Sequence, residues 1–355
     1  MESIVAAFDL GVSAAAVAGT DAAKAHGLYR SAVKKLVRAT RDESVPAAGV
    51  QIAAQLASAM LLRAEAVRHN NDDTPQTVSP QSQRLRPAEI ESACAALDKS
   101  GLVIFRKGEV GCLPTAKLES LRLAAQRLEK FVVDFTKQST KHYSFVQFAS
   151  RCPGRIDVKL LGGVASKSDA GSKFDALVSK FNVQDLAKNG WWRRLVDAAL
   201  GEDCVLAYAG LVLSQPRSAE QPWHTDGLAL FPGAPAMLPA HALNVFVPLV
   251  EVTRERGPTQ LVPGSHRPEA AAVVQKRLEK GDSPSDTIYA PTLQLGDALI
   301  YDQRTVHRGV ANVSDETRPI LYLLYARPWY RESLNFTDEC AFAPRKAAKK
   351  RKQPT

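Results

Sequence analysis

The sequence predicts an α+β chain in which helices pack on a β-sandwich or barrel. Three observations predict it. Apolar residues recur at helical spacing through the first half of the chain, whereas the part after Gly201 breaks into short apolar, β-branched or aromatic runs separated by Gly, Pro, Asp or Asn. The chain has 355 residues, 45% of them hydrophobic and 23% charged, which is enough for a sizeable core and too apolar for a fully disordered protein.

Residues 1–70 are alanine-rich, and Ile52, Leu56, Ala59 and Leu62 make one apolar stripe, so a helical extension is expected there. Residues 71–87 are polar, rich in proline and without periodicity, as a linker should be. A main domain is expected over 88–340, followed by a basic, disordered tail over 341–355. Within the domain, a short helix after Pro87 leads into a strand at Leu102–Phe105. The 3-and-4 spacing of Leu118, Leu121, Ala125, Leu128, Val132 and Phe135 then predicts an amphipathic helix covering one face of a sheet. A further helix at Trp191–Leu200 stops at Gly201. Strands are expected in CVLAYAGLVLSQP, ALNVFVPLVEV, TQLVPGSH, APTLQLG, ALIYD, VHRGVAN and RPILYLLYARPWY, with one helix at Glu269–Lys280 among them.

The formal charge of +9 is mostly local, because the last twelve residues hold Arg345, Lys346, Lys349, Lys350, Arg351 and Lys352 without an acid. A solvated tail is the default for such a run, with nuclear import or a polyanion contact such as nucleic acid left open. Five cysteines without a CxxC pair fit neither a disulfide framework nor a thiolate zinc site, so an intracellular, cytoplasmic setting is expected. No membrane span is expected, since the most apolar N-terminal stretch, Val45–Leu62, is interrupted by Gln51, Gln55 and Ser58.

Chemistry is concentrated in QPWHTDGLAL. In an extended segment, His224 and Asp226 point to the same side and could be two ligands of one ion, or they could be a polar turn between strands. His307, late in the strand-rich half, is the best third ligand. Two imidazoles and one carboxylate would occupy one face of an octahedral ferrous ion and leave three positions open. Arg318 begins an otherwise apolar strand, where a guanidinium is costly unless paired, and its planar fork suits a dicarboxylic co-substrate. A surface arginine ahead of a strand is the alternative.

WHTDG, RGPTQLVPGSHRP, GDALIYDQRTVHRGVANVS and RPILYLLYARPWY occur in an order and spacing that resembles the phytanoyl-CoA dioxygenase family. The resemblance runs over roughly 88–330 and is strongest from Cys204 onward. It implies a double-stranded β-helix, or jelly roll, with Fe(II) held by His224, Asp226 and His307 and with Arg318 anchoring the distal carboxylate of 2-oxoglutarate. It further implies dioxygen as oxidant, hydroxylation of a small or lipid-like organic substrate, and release of succinate and CO2. A non-catalytic binding or regulatory protein on the same fold is the alternative. In one respect the chain departs from the family. Many members place a hydroxyl two residues after the distal histidine to help hold that carboxylate, and this chain has Arg308 and Gly309 after His307. Thr305 or Tyr208 is expected to replace it.

Other residues divide between two roles. Asn244 could meet the co-substrate or satisfy a buried carbonyl. Trp223 and Trp191 could line a pocket or pack in the core, with core favoured for Trp192. His266 is expected to be structural and His241 an exposed cap. Arg151–Lys159 could touch substrate or be a solvated connection.

Overall fold

The structure is a computed structural model that describes residues 77–78, 85–106, 113–137, 147–162, 168–230, 237–331, 336 and 341–342. The expected helical extension, most of the linker and the basic tail from residue 343 onward lie outside the described residues, whereas Ala341 and Phe342, at the start of that expected tail, are buried in the core. A two-residue strand β1 (Thr77–Val78) precedes helix α1 (Pro87–Ser100), which opens on proline and on a Glu89 carboxylate that accepts the Arg86 backbone N–H at 2.7 Å. The helix stops at Gly101, left-handed at φ +77°, whose N–H returns to the Leu97 carbonyl. A side chain there would also collide with His266 and Thr305, since an added Cβ falls 2.6 Å from each. The chain then enters β2 (Leu102–Phe105) and α2 (Thr115–Lys137).

Sequence periodicity predicted nothing definite between α2 and residue 191. Two strands and two helices lie there: β3 (Phe148–Cys152), β4 (Arg155–Lys159), α3 (Asp169–Val178) and α4 (Val183–Asn189). After α5 (Arg193–Leu200) come β5 (Val205–Ser214), β6 (Ala242–Pro248), β7 (Thr259–Leu261), α6 (Pro268–Glu279), β8 (Ala298–Asp302), β9 (His307–Gly309) and β10 (Arg318–Ala326). Six of the seven expected strands therefore form. The seventh, APTLQLG, contributes only an isolated bridge of Leu293 to Val252. Pro291 lacks the N–H a ladder needs, and Gly296 at φ +94° turns the chain away.

The large sheet has the order β1-β2-β8-β6-β10-β5-β4-β3 and is antiparallel except for the β1–β2 edge. A small sheet, β7–β9, faces it across a cavity lined from both. This pairing of a large and a small antiparallel sheet is the two-walled double-stranded β-helix that the sequence predicts. Strand alternation sorts the large sheet's two faces. On one, Leu211, Leu213, Leu321, Leu323, Val245 and Ile300 pack under the helices with Leu118, Leu121, Leu128 and Val132 of α2. On the other, Val212, Ile320, Tyr322, Phe246 and Asn244 face the cavity. β10 is buried along its whole length, as its unbroken apolar run requires. Truncating a stripe residue such as Leu121 to alanine should cost roughly 2–5 kcal/mol.

Two histidines lie near the cavity without facing it. His241, expected as an exposed cap, is buried against the Tyr330 ring and accepts from the Gln303 amide at 2.8 Å. Burial, with Arg304 close by, pulls its pKa down to about 3. His266 is structural, donating from Nε2 to the Asp98 carbonyl at 3.0 Å, and burial pulls it down to about 4. Burial raises Asp302, but the Arg304 guanidinium at 2.6 Å outweighs that and holds it at about 2. The signs then separate two pH windows. Asp302 keeps its contribution until the pH falls below about 4, its unfolded value, whereas the two histidines are neutral in the fold and take up protons on unfolding below about 6.5. Urea unfolding should therefore show stability falling between about pH 6 and pH 4, with these two groups alone contributing a slope that approaches about 2.7 kcal/mol per pH unit. An unfolding midpoint that holds constant across that range contradicts this account.

Candidate metal and co-substrate site

The site is built by a backbone pairing. His224 and His307 exchange both hydrogen bonds, the His224 N–H to the His307 carbonyl at 3.0 Å and the reverse at 2.8 Å. Directly opposed residues of an antiparallel bridge project to the same face, and the two rings stand 4.5 Å apart. Two residues on, the chain leaves extended geometry, and the Asp226 and Gly227 N–H groups both donate to the Gln303 carbonyl, at 3.0 and 3.1 Å. The turn carries the Asp226 carboxylate between the rings, its oxygens 3.9 Å from His224 Nε2 and 3.5 Å from His307 Nε2. One ligand atom from each residue lies within 4.8 Å of the other two.

Hydrogen bonds fix which atoms are offered. His224 Nδ1 lies 2.8 Å from the Pro222 carbonyl and His307 Nδ1 lies 2.9 Å from the Thr305 carbonyl. A carbonyl can only accept, so each Nδ1 carries a proton, and each Nε2 is the atom left to face inward as a ligand. Burial, reinforced by His307, pulls the His224 pKa down to about 4, so this ring is neutral at pH 7. Asp226 Oδ2 accepts from the Asn244 amide at 2.8 Å and from the Tyr301 hydroxyl at 2.7 Å. Burial pushes this carboxyl up, but His307, His224 and the Tyr301 hydrogen bond outweigh it and hold the group below the usual carboxylate range. The ionised carboxylate turns Oδ1 toward His224. Two imidazoles and one carboxylate, oriented from behind, form the donor set that suits a ferrous ion.

The same cavity, about 320 Å³, ends at Arg318. This guanidinium is 1% exposed, and among the described residues only its Nη2 finds a partner, the Ser214 hydroxyl at 2.8 Å. Nε and Nη1 are buried without an acceptor. Burial first, and then the charge of Arg155, pull its pKa down to about 9, so the pocket itself disfavours the cation it holds. An entering carboxylate would supply both missing acceptors and the missing charge. The residues thus fit a dicarboxylate at this end and a metal at the other.

Sequence reasoning located His224, Asp226, His307 and Arg318, and the structure brings all four to one cavity. Asn244 also lines it, but grips Asp226, a role that neither sequence reading gave it. Thr305 and Tyr208 are corrected. The Thr305 hydroxyl turns away from the cavity to donate to the Gly101 carbonyl at 3.2 Å, and the Tyr208 hydroxyl donates to the Phe336 carbonyl at 3.4 Å. Of the two readings of Trp223, packing is the one found: alternation turns it opposite to His224, onto Val262, Val274 and Val306, with Arg308 over its ring. Trp192 is core, its indole N–H donating to the Tyr325 hydroxyl. Tyr301, Gln221 and Thr259 line or brace the site and were missed, while Arg155 lies in the 151–159 segment that could have touched substrate or been a solvated connection, and it lines the cavity. For Tyr301 a signal existed, since a tyrosine within an apolar strand must find a partner for its hydroxyl.

Comparison with known proteins follows from this geometry. The family model described as phytanoyl-CoA dioxygenase matches residues 97–320. The chain is 31% identical over 112 residues to the dioxygenase easH of Epichloe festucae var. lolii, covering 31% of this chain and 55% of that protein. It is 27% identical over 155 residues to the dioxygenase af480 of Aspergillus fumigatus, covering 43% of this chain and 48% of that one. The chain thus spans about half the length of the curated relatives it matches. Among solved structures it is similar to the α-ketoglutarate-dependent epimerase SnoN of nogalamycin biosynthesis, with a TM-score of 0.48 at 23% identity, covering 70% of this chain and 87% of that one.

The second layer around the ligand cluster is testable by metal titration calorimetry. Tyr301→Phe and Asn244→Ala should each weaken divalent-metal binding by about 10- to 100-fold, the usual effect of removing such support, while the fold persists. Affinities equal to wild type in both variants would mean that these hydrogen bonds do not orient a ligand.

Proposed function

Because the chain belongs to the phytanoyl-CoA dioxygenase family, we propose that it is an Fe(II)- and 2-oxoglutarate-dependent dioxygenase that hydroxylates a small or lipid-like organic substrate. His224 Nε2, Asp226 Oδ1 and His307 Nε2 would hold the metal, and Arg318 would bind the distal carboxylate of the co-substrate. Together the ferrous ion and 2-oxoglutarate supply the oxidising chemistry, converting dioxygen and a C–H bond to an alcohol with succinate and CO2 as co-products. One observation carries this reading: the open three-ligand cluster and the buried guanidinium with two orphaned N–H groups share a single cavity.

The chain's own residues bind, orient and exclude water. Asn244 and Tyr301 hold Asp226 ionised and fix its rotamer, so the carboxylate is preorganised for the ion. The carbonyls of Pro222 and Thr305 keep both imidazoles in the ligating tautomer. Val212, Ile320, Phe246 and Leu324 make an apolar wall that keeps the interior dry and suits an organic substrate. A cavity of about 320 Å³ that must also admit metal and co-substrate favours a small molecule or the end of a longer one. The complete ligand set speaks against the non-catalytic alternative, which has no need to keep a carboxylate between two imidazoles.

Supplied with Fe(II), 2-oxoglutarate and dioxygen, the protein should release succinate in step with oxidation of its substrate when a metabolite panel is screened. Arg318→Leu should raise the KM for 2-oxoglutarate by about 100-fold, since it deletes a charge-assisted contact worth about 3 kcal/mol. Turnover that needs no 2-oxoglutarate, or an unchanged KM in that variant, would remove the basis for this assignment.

A further inference from the structure

Strand register sets a second arginine beside the first. Arg155 on β4 pairs with Ser214 on β5, and Ser214 pairs with Arg318 on β10, so the three residues form one row across neighbouring strands on the cavity face. Both arginines are 1% exposed, and among the described residues neither forms an ion pair. Two buried cations side by side without an anion are costly, and a ligand carrying negative charge offsets that cost best.

The hydrogen bonds of Arg155 give it a definite task. Nη2 donates to the Val310 carbonyl at 2.8 Å and Nη1 to Gln221 Oε1 at 3.1 Å, while Nε is buried without a partner. Gln221 Oε1 also accepts the Gly309 N–H at 3.1 Å. With its oxygen doubly engaged, the Gln221 carboxamide is left to offer its NH2 to the cavity that it lines. Gly309 stands where the family resemblance leads one to expect a hydroxyl, two residues after His307. A Cβ built there would fall 1.6 Å from Arg155 Nη1 and 2.7 Å from Gln221 Oε1, so any side chain at 309 would force this guanidinium out of its present position.

We propose that Arg155 is the second cation of the distal-carboxylate pocket and the positioning residue for Gln221, taking over from β4 the role of the hydroxyl that Gly309 cannot supply. This rests on the reading of the cavity as a 2-oxoglutarate site. It makes the pocket selective for a dianionic 2-oxo acid over one that lacks the distal carboxylate, and it makes Arg155 and Gly309 interdependent.

The test is binding, without turnover. Calorimetry on the Zn(II)-loaded full chain would compare 2-oxoglutarate with 2-oxobutyrate, and thermal shift in chelator would compare glutarate with butyrate. Wild type should prefer 2-oxoglutarate strongly and be stabilised by glutarate alone. Arg155→Met should weaken 2-oxoglutarate by about 10- to 100-fold while leaving 2-oxobutyrate within about twofold, and Arg155→Lys should retain most of the preference. Gly309→Ser alone should weaken 2-oxoglutarate, and Arg155→Met with Gly309→Ser should recover part of the loss, because the hydroxyl then has room. Should Arg155→Met fail to fold, Arg155→Lys and Gly309→Ser carry the comparison. Equal loss for both 2-oxo acids, or no loss for either, would overturn the role of Arg155 while leaving the co-substrate reading intact. Wild type that binds neither 2-oxoglutarate nor glutarate would overturn both.

Discussion

The reciprocal backbone bridge between His224 and His307 is the constraint on which the rest of the site depends. It joins a segment with no other regular structure to β9, and so brings residues 83 positions apart in sequence onto one face. Once the bridge is closed, several consequences follow from covalent geometry. The two Nε2 atoms converge, Thr225 spans the gap, and the Asp226 carboxylate arrives between them. The carbonyl partners of the Nδ1 atoms, Pro222 and Thr305, each lie two residues before the histidine they orient. Orientation of the rings is therefore local, whereas their convergence is tertiary.

The large sheet supplies the other half of the cavity by register. Asn244 and Tyr301 pair across β6 and β8, and both reach the same oxygen of Asp226. At the far end of the cavity-facing surface, Arg318 and Arg155 form no ion pair among the described residues, because the nearby Asp157 of β4 is already paired with Arg151 at 2.6 Å. Burying a guanidinium with unfilled hydrogen-bonding capacity costs stability that a purely structural residue would have no reason to impose. The helix-covered face bears that cost, with an apolar contact surface that runs unbroken from β2 across the sheet to β5.

Much of this was legible in the sequence, for identifiable reasons. Alternation and 3.6-residue periodicity are local, so α2, β5, β6, β8 and β10 could be read directly. His224 and Asp226 could be found by their spacing, Arg318 because a guanidinium at the head of an apolar strand is costly unless paired, and the family resemblance joined them to His307. Illegible were the features that depend on which strands become neighbours. β3 and β4 are short and carry charges on the cavity face, Arg155 and Asp157 among them, so their pattern resembles a solvated connection. Thr305 and Tyr208 were expected to supply the hydroxyl missing after His307, but the turn after Asp302 and the pairing of β5 direct their hydroxyls elsewhere. Trp223 could be read either way until its face was fixed: adjacency to a ligand in an extended chain means the opposite face.

Metal placement tests the central claim most directly. Crystals grown anaerobically with Fe(II), and measured at the iron absorption edge, should show one anomalous peak bonded at about 2.0–2.2 Å to His224 Nε2, Asp226 Oδ1 and His307 Nε2, with Asn244 and Tyr301 still on Oδ2. An ion held by other residues, or a cluster that stays empty at saturating Fe(II) with its three side chains in place, would contradict the account.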